Sequence, residues 1–404
     1  MPIELRPPTP DEFDAFYQAE GIPFGYDAKP EAIERELKNI DPARLLAAFD
    51  GTQIVATFGA FDLKLTVPGS VAPTAGTTAV TVLPTHRRRG ILRQMMERHL
   101  PEAHERGELL AALWASESSI YGRFGYGPAT DRAIMTLPKP YAVMAEPMDI
   151  PGTMRLVDRE EALATFPAIY AIACQQRPGM LARSDAWWRH RRLDDPEYIR
   201  QGATAHRRVL YERDGKPLGY VIYRTRRIPD KGLGVLIADL TAAEPQAERA
   251  LWQFVFGIDL VTEIRSGNRP VDDPLLWWME QPRRMERRIE DSLWIRPIDV
   301  VGALNCRRYA AAGRVVFRMT DALCPWNEGI YRLEVEPCGM AECRRVDATP
   351  TCELTPFTLG AVYLGGRRFG ALARAGLIAG KSESLGQLDA MFAWEPQPWC
   401  SEVF

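Results

Sequence analysis

The chain has 404 residues, of which 46% are hydrophobic and 25% charged, and a formal net charge of −3. At ~100–200 residues per domain this leaves room for two or three domains, each able to bury a core. The slight acidity argues against a nucleic-acid binder, which needs a concentrated basic face.

The opening stretch MPIELRPPTPDEF shows no basic segment followed by an apolar one, so no signal peptide is expected, and no apolar run is long enough to span a bilayer. Of the seven cysteines, six (Cys306, Cys324, Cys338, Cys343, Cys352 and Cys400) fall in the last hundred residues, downstream of all five histidines. No CxxC pair or Cys/His set has zinc spacing, so the reading is reduced cysteines in a cytoplasmic protein that needs no metal and no membrane.

In chain order, Phe13, Phe16, Tyr17, Phe24, Tyr26 and Asp27 form an early aromatic group with an acid; such a group suits a cationic amine, and an ordinary core helix looks the same. ARLLAAFDGTQIVATFGAF (43–61) reads as strand, Asp50-Gly51 turn, strand. TTAVTVL (77–83) is a β-branched strand broken by Pro84-Thr85. From Gly90 onward, Ile91, Leu92, Met95 and Met96 fall on one helical face. The run Arg87-Arg88-Arg89-Gly90 therefore lies between a strand end and a helix start. Cations at a helix N-terminus oppose its dipole unless an anion is present, so the pattern points to a phosphate site. Gly90 permits close approach of the anion to the backbone, and arginine adds bidentate contacts.

LLAALW (109–114) reads as the next buried strand, and SESSIYGRFGYG (116–127) as a glycine-punctuated turn. LPKPYAVMAEPMDIPG (137–152), with four prolines in sixteen residues, reads as a linker. HRRVLYERDGKPLGYVIYR (206–224) repeats the hairpin pattern around Asp214-Gly215, and LGVLIADL with QAERALWQFVFG repeats the strand and helix. A duplicated α/β unit follows from that pattern. The second copy has Glu244 and Glu248 where the first has its arginines, and these would repel a phosphate. Asp299 is placed to cap a helix, and the remainder reads as a small α+β module with strands in GRVVFRMTD and EGIYRLEVEP and three short helices. The pairs Trp187-Trp188 and Trp277-Trp278 are expected to pack one ring and part-expose the other.

Val80-Thr81-Val82 followed by Arg87-Arg88-Arg89-Gly90-Ile91-Leu92 resembles the pyrophosphate loop of GNAT N-acetyltransferases, with Leu92 in place of the usual small residue. The longer strings LTVPGSVAPTAGTTAVTVLPTHRRRGILR and ASESSIYGRFGYGPAT closely resemble the Eis-like (enhanced intracellular survival) acetyltransferases, over essentially the whole chain. That resemblance implies an α/β (α+β) fold in three parts. These are a catalytic GNAT domain over 1–147, a degenerate GNAT domain over 148–292, and a domain like sterol carrier proteins over 293–404.

It also implies acetyl-CoA as co-substrate, held by Val80, Thr81 and Val82, by Arg88, Arg89, Gly90, Ile91, Leu92 and Arg93, and by Ser116 and Glu117. The acceptor is expected to be a small-molecule amine (an aminoglycoside or other polyamine) or a lysine side chain, and the assembly a homohexamer. Acyl transfer to an amine needs an oxyanion stabiliser, a base for the ammonium and an acid for the leaving thiolate. The resemblance makes Tyr121 the acid; the residues alone do not separate Tyr121 from Tyr126. It makes the C-terminal carboxylate of Phe404 the base, although an α-carboxyl near pKa 3.5 needs desolvation to act so. Two departures bear on the acceptor. Ser118-Ser119 replaces the family's frequent Gly-Gly, and Val403 stands where an acid often precedes the terminal Phe. The rival reading is an acyl-CoA- or lipid-binding protein without catalysis.

Overall fold

The structure, a computed structural model, describes residues 3–404. A first seven-stranded sheet has the order Glu4–Arg6, Leu45–Asp50, Gln53–Val67, Ser70–Val82, Leu110–Trp114, Leu293–Pro297, Gly127–Pro128. All neighbours are antiparallel except Ser70–Val82 with Leu110–Trp114. The second sheet runs Thr153–Val157, Arg207–Arg213, Lys216–Ile228, Gly232–Ala242, Glu263–Arg269, Asp131–Pro138, Glu286–Asp291, and its one parallel pair is again the fourth with the fifth strand. The two sheets are therefore built on one plan, as tandem GNAT folds would be. The sixth place in each sheet goes to an unexpected strand: Leu293–Pro297, which follows the second unit in sequence, completes the first sheet. Asp131–Pro138, which follows the first unit, completes the second.

Contacts divide the chain into two compact units. One joins the chain up to Thr130 with Ser292–Glu395 and Glu402–Phe404; the other is Asp131–Asp291 with Pro396–Ser401. The first unit includes the third module, a five-stranded sheet in the order Ala341–Arg345, Gly329–Val335, Gly313–Met319, Cys352–Leu354, Ala379–Gly380, with helices Pro356–Val362, Phe369–Arg374 and Ser382–Phe392. No helix among the described residues is long and apolar enough to cross a membrane.

Local sequence signals account for these elements. The hairpin at Asp214-Gly215 has φ of 52° and 70°, the double left-handed turn that an Asp-Gly step tolerates. Asp131–Pro138 buries Ala133, Met135 and Leu137, a period-2 face. The Asp299 side chain accepts from the Gly302 N–H at 3.0 Å and so starts the helix Val300–Cys306. Trp277 is exposed and Trp278 half-buried, whereas Trp187 and Trp188 are both buried. The latter pair departs from expectation because both rings are covered: Trp188 meets Tyr170 edge-on at 5.7 Å, and the Arg191 guanidinium lies 4.6 Å over Trp187.

The helix Ile91–Glu105 packs on the first sheet through Ile91, Met95, Met96, His99, Leu100 and Ala103. His99 is the polar exception on that face. Its Nε2 lies 3.4 Å from Thr77 Oγ1, which in turn lies 3.1 Å from the Tyr126 hydroxyl. Burial, with the guanidiniums of Arg106, Arg44 and Arg296 nearby, pushes the imidazole pKa down from 6.5 to about 3. As pH falls below 6.5 the unfolded chain takes up a proton that the native state refuses. Stability is untouched by this group above that pH and is lost below it, by up to about 1.4 kcal/mol per pH unit. Thermal melts of His99→Gln between pH 7 and pH 4 should therefore fall less steeply than those of the unaltered chain. An equal slope would remove His99 as a source of acid sensitivity.

Candidate active site

The parallel pairing of Ser70–Val82 with Leu110–Trp114 runs from Thr74–Leu110 to Gly76–Ala112 and then stops. Leu113 and Trp114 keep their antiparallel partners Trp294 and Leu293 on the far edge. On its other side, Ser70–Val82 stays paired with Gln53–Val67 through a bulge between Thr57 and Gly59. There Ala79 adopts φ 52°, and its carbonyl accepts from Thr57 Oγ1 at 2.7 Å. The edge of Thr77–Val82 that faces Leu113 thus has no strand partner among the described residues. A groove of about 890 Å³ opens along it.

Past Val82 the chain makes a single 3₁₀ turn, Pro84–His86, and reaches the arginine run. Arg88 has φ 63° and Gly90 φ 80°. Gly90 is the N-cap of Ile91–Glu105 and contributes no side-chain cap; the first intrahelical donor is Gln94 N–H, to Gly90 O at 3.1 Å. The preceding amides of the first turn have no such intrahelical acceptor. A Cβ on Gly90 would meet nothing within 4 Å, so its backbone angle rather than crowding asks for glycine. Arg88, Gly90, Ile91, Leu92 and Arg93 line the groove. Arg89 does not: it turns to Asp50 Oδ2 at 3.6 Å, a carboxylate that His86 Nε2 also reaches at 3.2 Å. The hydrogen bond from His86, more than the nearby Arg89, holds the Asp50 carboxyl below its usual range. The uncapped helix start and the Arg88 cation fit a pyrophosphate, while Arg93 lines the groove with its Nε bonded to Glu97 Oε1 at 2.8 Å.

Val80, Thr81 and Val82 form the strand side of the groove, and Ser116, Glu117 and Tyr121 face it after the fifth strand. Tyr121 is 5% exposed; its pKa is raised by burial, which a hydrogen bond with Ser116 partly opposes. Tyr126, the other tyrosine of the turn, is wholly buried and does not line the groove. Its ring stands edge-on to Tyr121 with centroids 6.2 Å apart. Arg89 and Phe404 are the two expected residues outside the lining. The Phe404 ring instead meets Phe61 edge-on at 6.2 Å, and Phe61 pairs in register with Gly76, where the strands begin to part. Arg87, of the arginine run, and Phe24, of the early aromatic group, also line the groove; sequence reasoning missed Pro23, and it missed His86, Ile120, Arg123 and Phe124, which sit inside motifs already singled out. It also missed Ala322 and Leu323, for which no local signal exists.

The second unit parts its fourth and fifth strands in the same way, after Ile237–Ser266. There the chain's own charges fill the place. Arg269 donates to Leu240 O at 2.8 Å, to Asp273 Oδ2 at 2.6 Å and to Glu248 Oε1 at 2.6 Å. Glu244, just before the helix Pro245–Phe256, pairs with Arg213 at 2.9 Å. The acids expected to repel a phosphate are thus present and already neutralised from within.

Comparison with known proteins gives the family of the chain. Family models described as acetyltransferase (GNAT) domains match residues 4–129 and 179–296, and one described as a sterol carrier protein domain matches 300–401. An uncharacterized N-acetyltransferase of Streptomyces avermitilis is 38% identical over the whole of both chains. N-acetyltransferase Eis of Mycobacterium tuberculosis is 35% identical over 97% of each. The chain belongs to the Eis-like GNAT N-acetyltransferases. The crystal structure of Eis1 from Mycobacterium abscessus matches this Eis-like chain over the whole of both, with TM-score 0.85 at 32% identity.

The division within the arginine run is open to test. Arg88→Ala should lower kcat/KM for acetyl-CoA about 10- to 100-fold, the loss of one charged hydrogen-bonding group, on the order of 1.5–3 kcal/mol. Arg89→Ala, which removes a half-exposed ion pair, should change it by less than about fivefold, under about 1 kcal/mol. Steady-state kinetics on both variants decides, and equal losses would refute the division.

Proposed function

We propose that the groove carries acetyl transfer from acetyl-CoA to a primary amine, with direct attack in a ternary complex. The observation that carries this reading is the parted strand edge, which leads from an uncapped, arginine-flanked helix start to a buried tyrosine. In it the pyrophosphate lies on the Gly90–Arg93 amides and Arg88, and the acyl thioester runs along Val80–Val82 toward Tyr121. Backbone N–H groups on the unpaired edge are the oxyanion donors this chemistry asks for. Tyr121 returns a proton to the leaving thiolate. Burial keeps the hydroxyl protonated through neutral and mildly alkaline pH, the form the role requires; transfer to the less basic thiolate then rests on direct contact rather than on acid strength.

In a chain ending at Phe404, the α-carboxylate is the base we propose for the ammonium. The packing of that residue on Phe61, in register with the start of the split, supports it. The acceptor classes are aminoglycosides, other polyamines or lysine side chains. The working assembly is a homohexamer in the cytoplasm, organised as 1–147, 148–292 and 293–404. No metal, nucleic acid or membrane enters the mechanism.

Thiol release from acetyl-CoA across an aminoglycoside, polyamine and peptide panel tests the reading. Tight CoA binding with no release for any amine would favour the non-catalytic acyl-CoA or lipid binder instead. Tyr121→Phe should reduce kcat by about 10²–10⁴-fold with little change in CoA affinity; an unchanged kcat would dismiss the proton donor. Extending the chain by a few residues beyond Phe404 should depress kcat for the best amine, and full turnover would exclude the terminal carboxylate.

A further inference from the structure

The donor groove has a wall that neither GNAT sheet supplies. Ala322 and Leu323 line it, and both belong to the module matched to sterol carrier proteins. Ala322 is exposed and Leu323 half-buried, with the Leu323 side chain packed on the core of the first GNAT fold.

Three ties hold this wall in place. Asp321, 3% exposed, gathers the turn: Oδ1 accepts from the Leu323 and Cys324 N–H groups at 3.3 and 3.1 Å, and Oδ2 from Asn327 Nδ2 at 3.0 Å. Asp321 Oδ1 also receives Arg296 Nη2 at 2.8 Å, from the strand inserted into the first sheet. Arg296 is fully buried, and a Cβ on Gly125 would lie 2.4 Å from its Nη1. The guanidinium therefore bonds the turn that carries Leu323 and packs closely against Gly125, in the turn that carries Tyr121. The third tie is Trp326, whose Nε1 donates to Ile298 O at 2.8 Å and whose ring stacks on His104 at 4.6 Å. His104 lies on the helix whose N-terminus forms the anion site.

We propose that Ala322 and Leu323 form an apolar contact surface for the CoA moiety, so that the third module helps determine donor affinity. Asp321 and Arg296 act as positioning residues for that surface. The physical case is desolvation: a buried ion pair forms only where geometry fixes both partners, and here it fixes a short turn whose next residues face the groove. An aliphatic side chain at a groove wall removes water from the apolar faces of a nucleotide–pantetheine ligand. The proposal rests on the donor reading of this groove.

The test uses the full chain, with CoA as the titrant in calorimetry and acetyl-CoA in kinetics. Leu323→Asp places a carboxylate on a half-exposed wall facing a polyanionic ligand. CoA Kd and the KM for acetyl-CoA should both rise at least tenfold, while the KM for the amine and kcat at saturation change less than threefold. Met340→Asp, at an exposed residue of the same module, should alter none of these. Thermal melts establish that both variants are folded. Asp321→Asn should weaken CoA binding in the same direction without moving the amine KM. If Arg88→Ala weakens CoA binding and Leu323→Asp does not, the groove is the donor's and the wall is not part of it, which overturns the proposal. A rise confined to the amine KM overturns it in favour of an acceptor wall. Failure of the unaltered chain to bind CoA overturns the donor reading itself, and the proposal with it.

Discussion

The separation of Ser70–Val82 from Leu110–Trp114 beyond Gly76 and Ala112 is the constraint on which the rest of the structure depends. Ending a backbone ladder inside a buried sheet leaves N–H and C=O groups that need partners. Part of the answer is local. The bulge at Ala79 takes up an extra residue, and Thr57 pairs with the carbonyl that the bulge displaces. Part is distant: Leu293–Pro297 holds the other edge of Leu110–Trp114, so the strand stays ordered while its near side is open. What remains is an apolar cleft with backbone polarity along one wall and a helix start at its end, a setting suited to a long amphipathic anion.

The two GNAT folds solve the same problem in opposite ways. In the second sheet a single side chain, Arg269, bridges the free carbonyl of Leu240 to Glu248 on the following helix and to Asp273. A buried guanidinium with two carboxylates is costly to desolvate and is retained only where its partners are well placed. It converts a ligand cleft into a structural joint. Duplication of the fold thus permits one copy to keep its cleft open while the other closes it.

Much of this could be read from local pattern. Hairpins at Asp50-Gly51 and Asp214-Gly215, the amphipathic helix after Gly90 and the Asp299 cap follow from spacing and turn chemistry within a few residues. Most of the groove lining from Val80 to Tyr121 was legible for the same reason, since it lies in two short motifs. The sixth strands were not legible. Leu293–Pro297 is five residues long, and its partner lies some 180 residues earlier, beyond the reach of periodicity. Trp187-Trp188 escaped for a smaller reason: Tyr170 and Arg191, neither predictable from the helical face, cover one ring each.

The sequence by itself determined that a basic run meets a helix start at Gly90, that one of two similar units is acidic there, and that a tyrosine-bearing turn follows the next strand. These depend on the order of neighbouring residues, and the backbone cannot evade them. Only the tertiary structure decided which two of three adjacent arginines line the groove and which serves Asp50. It also put Tyr121 on the groove and Tyr126 behind it, and brought Leu323 from the last module to the groove wall. Those outcomes depend on which surfaces remain open once distant segments have packed, and that is a property of the whole chain rather than of any stretch of it.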